Sequence, residues 1–244
     1  MIKKLAGIVF LTGMSLAAIG QINSALKPSV RPDIPGIFTF EFGFNRDLDG
    51  PDEFSPGFIG SRTANIYYQY EFRLFKSPIS IVPGFGLSLE RHKMKNNYTL
   101  AYENNTSDQV ILVPPADAPY PDIKKSMIIT NYLDLPVELR YTLKPDDPTR
   151  SFKIAVGGRI GYLFDSSSKI KYSENSEVKK IKDKQDFNLT KIRYGLSGKI
   201  GFGNFMFFGY YNLTPLFEKG KGLITDDASN DFSTITVGIS LSSF

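Results

Sequence analysis

The chain has 244 residues, of which 41% are hydrophobic, 14% aromatic and 22% charged, so it can build an ordered core and is not a disordered chain. It holds no Cys, no Trp and a single His, which excludes disulfides, thiolate metal sites, a thiol nucleophile and a His-rich catalytic or metal centre; no metal and no cofactor is expected. Lys and Arg (29) outnumber Asp and Glu (25) only slightly and are dispersed, so nucleic acid is not expected as a partner. With a mean hydropathy of −0.16 and no apolar run of ~20 residues, a helical membrane protein is excluded.

The first segment reads as an address. Met1-Ile2-Lys3-Lys4 is a short basic start, Leu5–Ile19 is apolar, and Ala18-Ile19-Gly20 before Gln21 has the small-x-small form of a signal-peptidase site. A cleaved signal peptide over 1–20, a periplasmic segment over 21–35 and one β-domain over 36–244 are the expected organisation.

From residue 36 onward the chain alternates with period 2 and shows almost no helical periodicity. Phe38, Phe40, Phe42 and Phe44 form one face of a first strand, with Thr39 and Glu41 on the other. Further alternating runs follow at Ile66–Phe75, Ile79–Glu90, Tyr132–Leu143, Phe152–Phe164, Lys191–Ile200 and Thr234–Ser242. Phe205–Leu216 is aromatic on both faces, and its register cannot be read from the pattern. Eight strands result, an even number.

The connections alternate in length. Arg46–Arg62, Met94–Met127, Asp165–Phe187 and Phe217–Asp231 are long, whereas Lys76–Pro78, Lys144–Ser151 and Gly201–Asn204 are short. This is the pattern of an eight-stranded antiparallel transmembrane β-barrel, with short periplasmic turns and long extracellular loops. A lipocalin-like soluble barrel would place its apolar residues inside. Here one face carries Glu41, Glu71, Arg73, Glu90, Asp134, Glu138, Arg140, Arg159, Lys191, Arg193 and Lys199, and the other is Phe, Tyr, Ile, Leu and Val. Charges of both signs can satisfy one another in a narrow lumen, whereas so large an apolar face cannot stay in water. Outer-membrane lipid is therefore the expected surrounding, with Tyr68, Tyr70, Tyr141, Tyr162, Tyr194 and Tyr211 as interfacial girdles.

The sequence ends on Phe244, like the aromatic signal read by the outer-membrane barrel-assembly machinery. Tyr132-Leu133-Asp134-Leu135-Pro136-Val137-Glu138-Leu139-Arg140-Tyr141 has a Tyr-x-acidic-x-Pro-aliphatic form. With Gly157–Tyr162 and Arg193–Gly198, it makes the chain resemble the small outer-membrane β-barrel proteins of Bacteroidota, the group that includes the PorT family. That resemblance implies a barrel with a part in type IX secretion. Gly36–Asn45, the long first loop and the proline-rich second loop lie outside it.

Several smaller patterns each have two readings. Asn45-Arg46-Asp47-Leu48-Asp49-Gly50 is like the first half of a calcium loop, but Pro56 stands at the twelfth position, which favours a solvated acidic turn. Ser88, Glu90 and His92 share parity at the extracellular end of a strand, where a nucleophilic triad could sit; residues two apart on one strand stand ~7 Å apart, which favours a polar rim. Lys169, Lys171, Lys179, Lys180, Lys182 and Lys184 could meet lipid phosphates, but Asp165, Glu174, Glu177, Asp183 and Asp186 are interleaved with them. Val113–Pro121 is either a docking segment or a loop folded over the mouth. Pro136 predicts a bulge or bend.

Two functional classes fit. One is a non-enzymatic, plugged barrel that serves as a structural or interaction subunit with envelope protein partners. The other is a narrow porin for small solutes. A lipid-modifying enzyme is the weaker third. The number of inward charges favours the first.

Overall fold

Alternation of apolar and polar residues selects β-strands with two unlike faces, and a sheet of such strands removes its exposed edges by closing. In a computed structural model, which describes residues 36–48, 50–51, 54, 60–102, 109–224 and 231–243, the chain does this. The barrel strands are β1 (Ile37–Leu48), β2 (Arg62–Gln69), β4 (Ile79–Lys93), β7 (Ile123–Thr142), β8 (Phe152–Glu174), β10 (Ile192–Phe202), β11 (Phe205–Asn212) and β13 (Ser233–Ser242). Each pairs antiparallel with the next, and β13 returns to β1 through Thr39↔Ser242 to Leu48↔Ser233. The ring has eight strands and up-and-down order. Among the described residues there is no α-helix. The segments read as signal peptide and periplasmic segment, and Phe244, lie outside the described residues.

The outward face is apolar throughout. Phe85, Val137, Ile160, Tyr194, Phe207 and their strand neighbours are roughly half exposed. From Phe152 to Phe164 along β8, the residue steps at a rise of ~3.3 Å and a tilt of ~40° climb ~30 Å, the thickness of a bilayer's hydrocarbon. Tyr70 and Tyr141 mark this belt toward the short turns; Tyr162, Tyr194 and Tyr211 mark it toward the long connections.

β4, β7 and β8 run past the belt at the long-connection end. The third connection is a hairpin: β8 continues to Glu174 and folds back as β9 (Glu177–Asp183), with Asn175 and Ser176 both at positive φ in its two-residue turn. The long connections meet as a cap. β5 (Thr99–Tyr102), β6 (Val110–Val113) and β12 (Leu223–Ile224) form a second small sheet. Phe54, Met94, Val110, Phe187, Leu189, Phe217 and Phe232, from all four connections, pack into one apolar cluster with Tyr132 and Leu163 of the barrel wall. The proline-rich run packs against the β8–β9 hairpin, with the Tyr120 ring 5.3 Å from that of Tyr172.

At Pro136 the outcome differs from expectation. The β7–β8 register passes through Pro136↔Arg159 unbroken, and the register shifts fall at Ile123/Lys125 and Asn131/Tyr132. On the other side the β4–β7 ladder has no pairs between Pro83↔Val137 and Gly86↔Asp134. A missing amide donor has opened one ladder locally instead of bulging a strand.

Candidate functional site

The inward positions of the eight strands meet in the lumen and form one chain of ion pairs. Glu90 binds Arg193 (2.5 Å), and Arg193 reaches Asp134 (3.1 Å). Asp134 and Glu41 share Arg159, each at 3.4 Å. Glu41 and Glu138 share Lys199, each at 2.6 Å. Glu138 and Glu71 share Arg140, at 3.1 and 3.2 Å. Acid and base alternate from the cap to the short turns, so Asp134, Glu41 and Glu138 each touch two cations, and Glu90 at the cap end touches one. Glu41 on β1 and Arg159 on β8 stand on opposite sides of the ring. The attraction therefore crosses the lumen.

Aromatic rings complete the filling. The Arg159 guanidinium lies 4.1 Å from the Tyr210 ring centroid and 5.2 Å from that of Tyr67. Arg193 lies 3.7 Å from Tyr132. These are cation–π distances between buried groups. The Tyr67 hydroxyl donates to Asp134 (3.0 Å), and Gln69 and Asn65 donate to Glu138 and Glu41. Gly161 makes room for them: a Cβ there would stand 2.3 Å from Asp134 Oδ1 and 2.9 Å from Arg193 Nε.

Nine of the eleven charges expected in the lumen belong to this chain, with Glu71 at its half-exposed end. Arg73 and Lys191 do not. β2 stops at Gln69, and Arg73 lies on the two-residue β3 (Phe72–Arg73) at the short-turn end. There it donates to the carbonyls of Ser77 and Lys76 and pairs with Asp146 at 3.1 Å. Lys191 precedes the first β8–β10 pair, Ile192↔Tyr162, and is exposed. Parity alone places both inward; strand length places both outside.

The lumen also holds residues that the charge pattern does not reveal. Phe208 and Tyr210, on the strand whose register the pattern leaves open, are buried inside, as are Tyr67 and Tyr132, which share parity with Glu71 and Asp134. β11 alternates with Met206, Phe208, Tyr210 and Asn212 inward, which fixes the register of the seventh strand. The signal for it is the pairing need of Arg159 and Arg193: two buried guanidiniums call for aromatic faces.

Ser88, Glu90 and His92 do come together, but in the wrong order for a nucleophilic relay. Ser88 Oγ donates to one Glu90 oxygen (3.2 Å), and His92 Nε2 lies 3.3 Å from the other. The carboxylate sits between the hydroxyl and the imidazole, so His92 cannot take the Ser88 proton. All three are buried. The calcium reading of residues 45–50 fares similarly. β1 continues to Leu48, and Asn45 turns inward to accept from Thr63 and Thr236 (2.5 and 2.9 Å); Asp49 lies outside the described residues. No group of three or more metal-ligating side chains occurs among the described residues.

The cap closes the mouth above Glu90. Tyr102 of β5 donates to Asp186 (2.9 Å), and burial together with this bond pushes its phenol up to about 12.

No curated protein matches the chain. Among solved structures, Ail, the attachment invasion locus protein of Yersinia pestis, solved with the heparin analogue sucrose octasulfate, is similar over 86% of this chain and 100% of its own, at 12% identity and a TM-score of 0.33. A mutant of the Rhodopseudomonas blastica porin is similar over 85% of this chain and 98% of its own, at 7% identity and a TM-score of 0.19. Likenesses of this strength carry no information about what the chain does. The sequence itself matches the model of the outer membrane protein beta-barrel domain over residues 37–218, more than half of its length, and the chain belongs to that family as a β-barrel of the outer membrane.

Proposed function

We propose that the protein is a closed, non-conducting and non-enzymatic barrel, a structural or interaction subunit of the envelope with its short turns in the periplasm and its long connections outside. The observation that carries this reading is the alternating ion-pair chain from Glu90 to Glu71, which fills the lumen with paired charge, beneath an apolar cap drawn from all four long connections. An eight-stranded lumen has room for its own side chains and little else. Its charged groups are already paired with one another, so a passing ion would have to displace an existing partner. The Ser88–Glu90–His92 order supports the absence of a hydrolytic centre.

Planar-bilayer recording on the purified barrel tests the reading. A silent bilayer is expected; sustained unitary currents would replace it with a narrow porin. A finer assignment, to a machine of the type IX secretion kind, is supported by the resemblance of Tyr132–Tyr141, Gly157–Tyr162 and Arg193–Gly198. Affinity purification from native outer membranes tests that assignment. Co-purification of secretion components is expected, and recovery of the barrel alone would remove it.

A further inference from the structure

Just beyond the apolar belt, on the outer wall of the barrel, six cations converge. Arg62, Arg91, Lys125, Lys169, Lys171 and Lys180 line a cleft of about 390 Å³, floored by Met127 and Ile129. The strand register sets like charges directly opposite one another: Arg62↔Arg91, Lys125↔Lys171 and Lys171↔Lys180. Like charges facing across a ladder are destabilising. Arg62, Lys93, Lys169 and Lys171 all bear on Lys125, in the stretch of β7 past the belt, and after burial they loosen its hold on its proton. Asp165 faces Arg91 from β8, but it is already held by Asn131 (2.8 Å) and Lys184 (3.8 Å). Lys179, by contrast, pairs with Glu174 away from the cleft. A concentration of positive charge that the protein does not neutralise is arranged for an anion from outside.

The position says which anion. Arg91 follows Leu87 on the same face of β4, and Ile129 precedes Leu133 on the same face of β7. Four residues at ~3.3 Å each set Arg91 within ~13 Å of exposed Leu87, and Arg62 equally close to exposed Ile66, the depth of a headgroup layer, with the lysines farther out on the same wall. We propose that this cleft binds the phosphate of an anionic lipid, whose acyl chains lie along the belt over Ile66, Leu87 and Leu133. This is distinct from the closed-lumen reading, because the cleft is on the outer wall and its occupancy does not depend on whether the barrel conducts.

Native mass spectrometry of the full chain, extracted in detergent and exposed to phosphatidic acid or phosphatidylcholine of equal acyl length, tests the site. Retention of phosphatidic acid over phosphatidylcholine by roughly tenfold is expected, and Lys125→Gln with Lys171→Gln should abolish most of that preference. Arg62→Gln alone should weaken it, and Lys144→Gln at the short-turn end should not. Heat-modifiable migration confirms that each variant is folded. Equal retention of the two lipids, or an unchanged preference in the double variant, overturns the proposal. Displacement by millimolar inorganic phosphate also overturns it, because the site would then take free anions and not a lipid.

Discussion

Arg193 on β10 stacks on Tyr132 of β7 at 3.7 Å, two strands away around the ring, while its two terminal nitrogens reach Glu90 and Asp134. One side chain thus holds β4, β7 and β10 at a fixed separation. It is also almost fully buried, at 1% exposure.

Arg193→Ala should therefore be among the most damaging single changes in the lumen. It strands buried Glu90 and takes from Asp134 one of its two cations, a loss of ~3–5 kcal/mol in the unfolding free energy. Arg193→Lys should recover only part, because an ammonium cannot stack flat on Tyr132 while forking to two acids. A urea or guanidinium midpoint in detergent measures both. Added salt should leave the loss intact, since buried pairs are little screened. Lys179→Ala, which breaks the exposed pair with Glu174, should leave the midpoint essentially unchanged. If Arg193→Ala leaves the midpoint unchanged, the ion-pair chain does not hold the barrel.

Gly161 gives a steric test of the same chain. A Cβ there would meet Asp134 Oδ1 at 2.3 Å. Gly161→Val should cost ~1–3 kcal/mol or more, because neither the carboxylate nor Arg193 can withdraw without losing a partner. Gly198 on the outer face of β10 has nothing within 4 Å of its Cβ position, and Gly198→Val should be tolerated in the same denaturation assay.

The outward face was legible because lipid selects one kind of side chain without exception, so Phe152 to Phe164 reads cleanly. The lumen was half legible. Charged residues of one parity mark it, and Tyr67 and Tyr132 share that parity, but Tyr210 lies on a strand that is aromatic on both faces, and an aromatic suits both lipid and a buried guanidinium. Arg73 and Lys191 show the other limit: parity fixes a face only where a strand exists, and both lie just past strand ends set by turns. β9 escapes the sequence pattern, since its Lys-rich face has no apolar partner to betray a strand. The cap was illegible because its cluster joins residues as distant as Phe54 and Phe232.

Orientation can be read on living cells. Ser176 forms the tip of the β8–β9 hairpin, and Asp147 lies in a short turn. With the long connections outside, Ser176→Cys should react with an impermeant maleimide on intact cells, and Asp147→Cys should react only after the outer membrane is opened. The natural chain has no Cys, so no background labelling competes. The reverse pattern inverts the barrel and moves the basic cleft to the periplasmic leaflet.

The inside–outside assignment itself is tested by two valines of nearly equal exposure. Val137 is 51% exposed and faces outward at mid-belt, paired with Gly158 on β8 and Pro83 on β4. Val178 is 57% exposed on β9, past the belt. In water the two surfaces are alike, and Arg at either position would be harmless. In a bilayer they are not: an Arg near the midplane costs ~2–4 kcal/mol, and one on an exposed hairpin stays within ~0.5 kcal/mol of the parent. Val137→Arg should therefore lower the stability of the barrel refolded into phospholipid vesicles, while Val178→Arg should not. Titration with guanidinium in vesicles measures the gap. Equal effects from the two would mean that the Phe, Leu, Ile and Val face does not meet lipid.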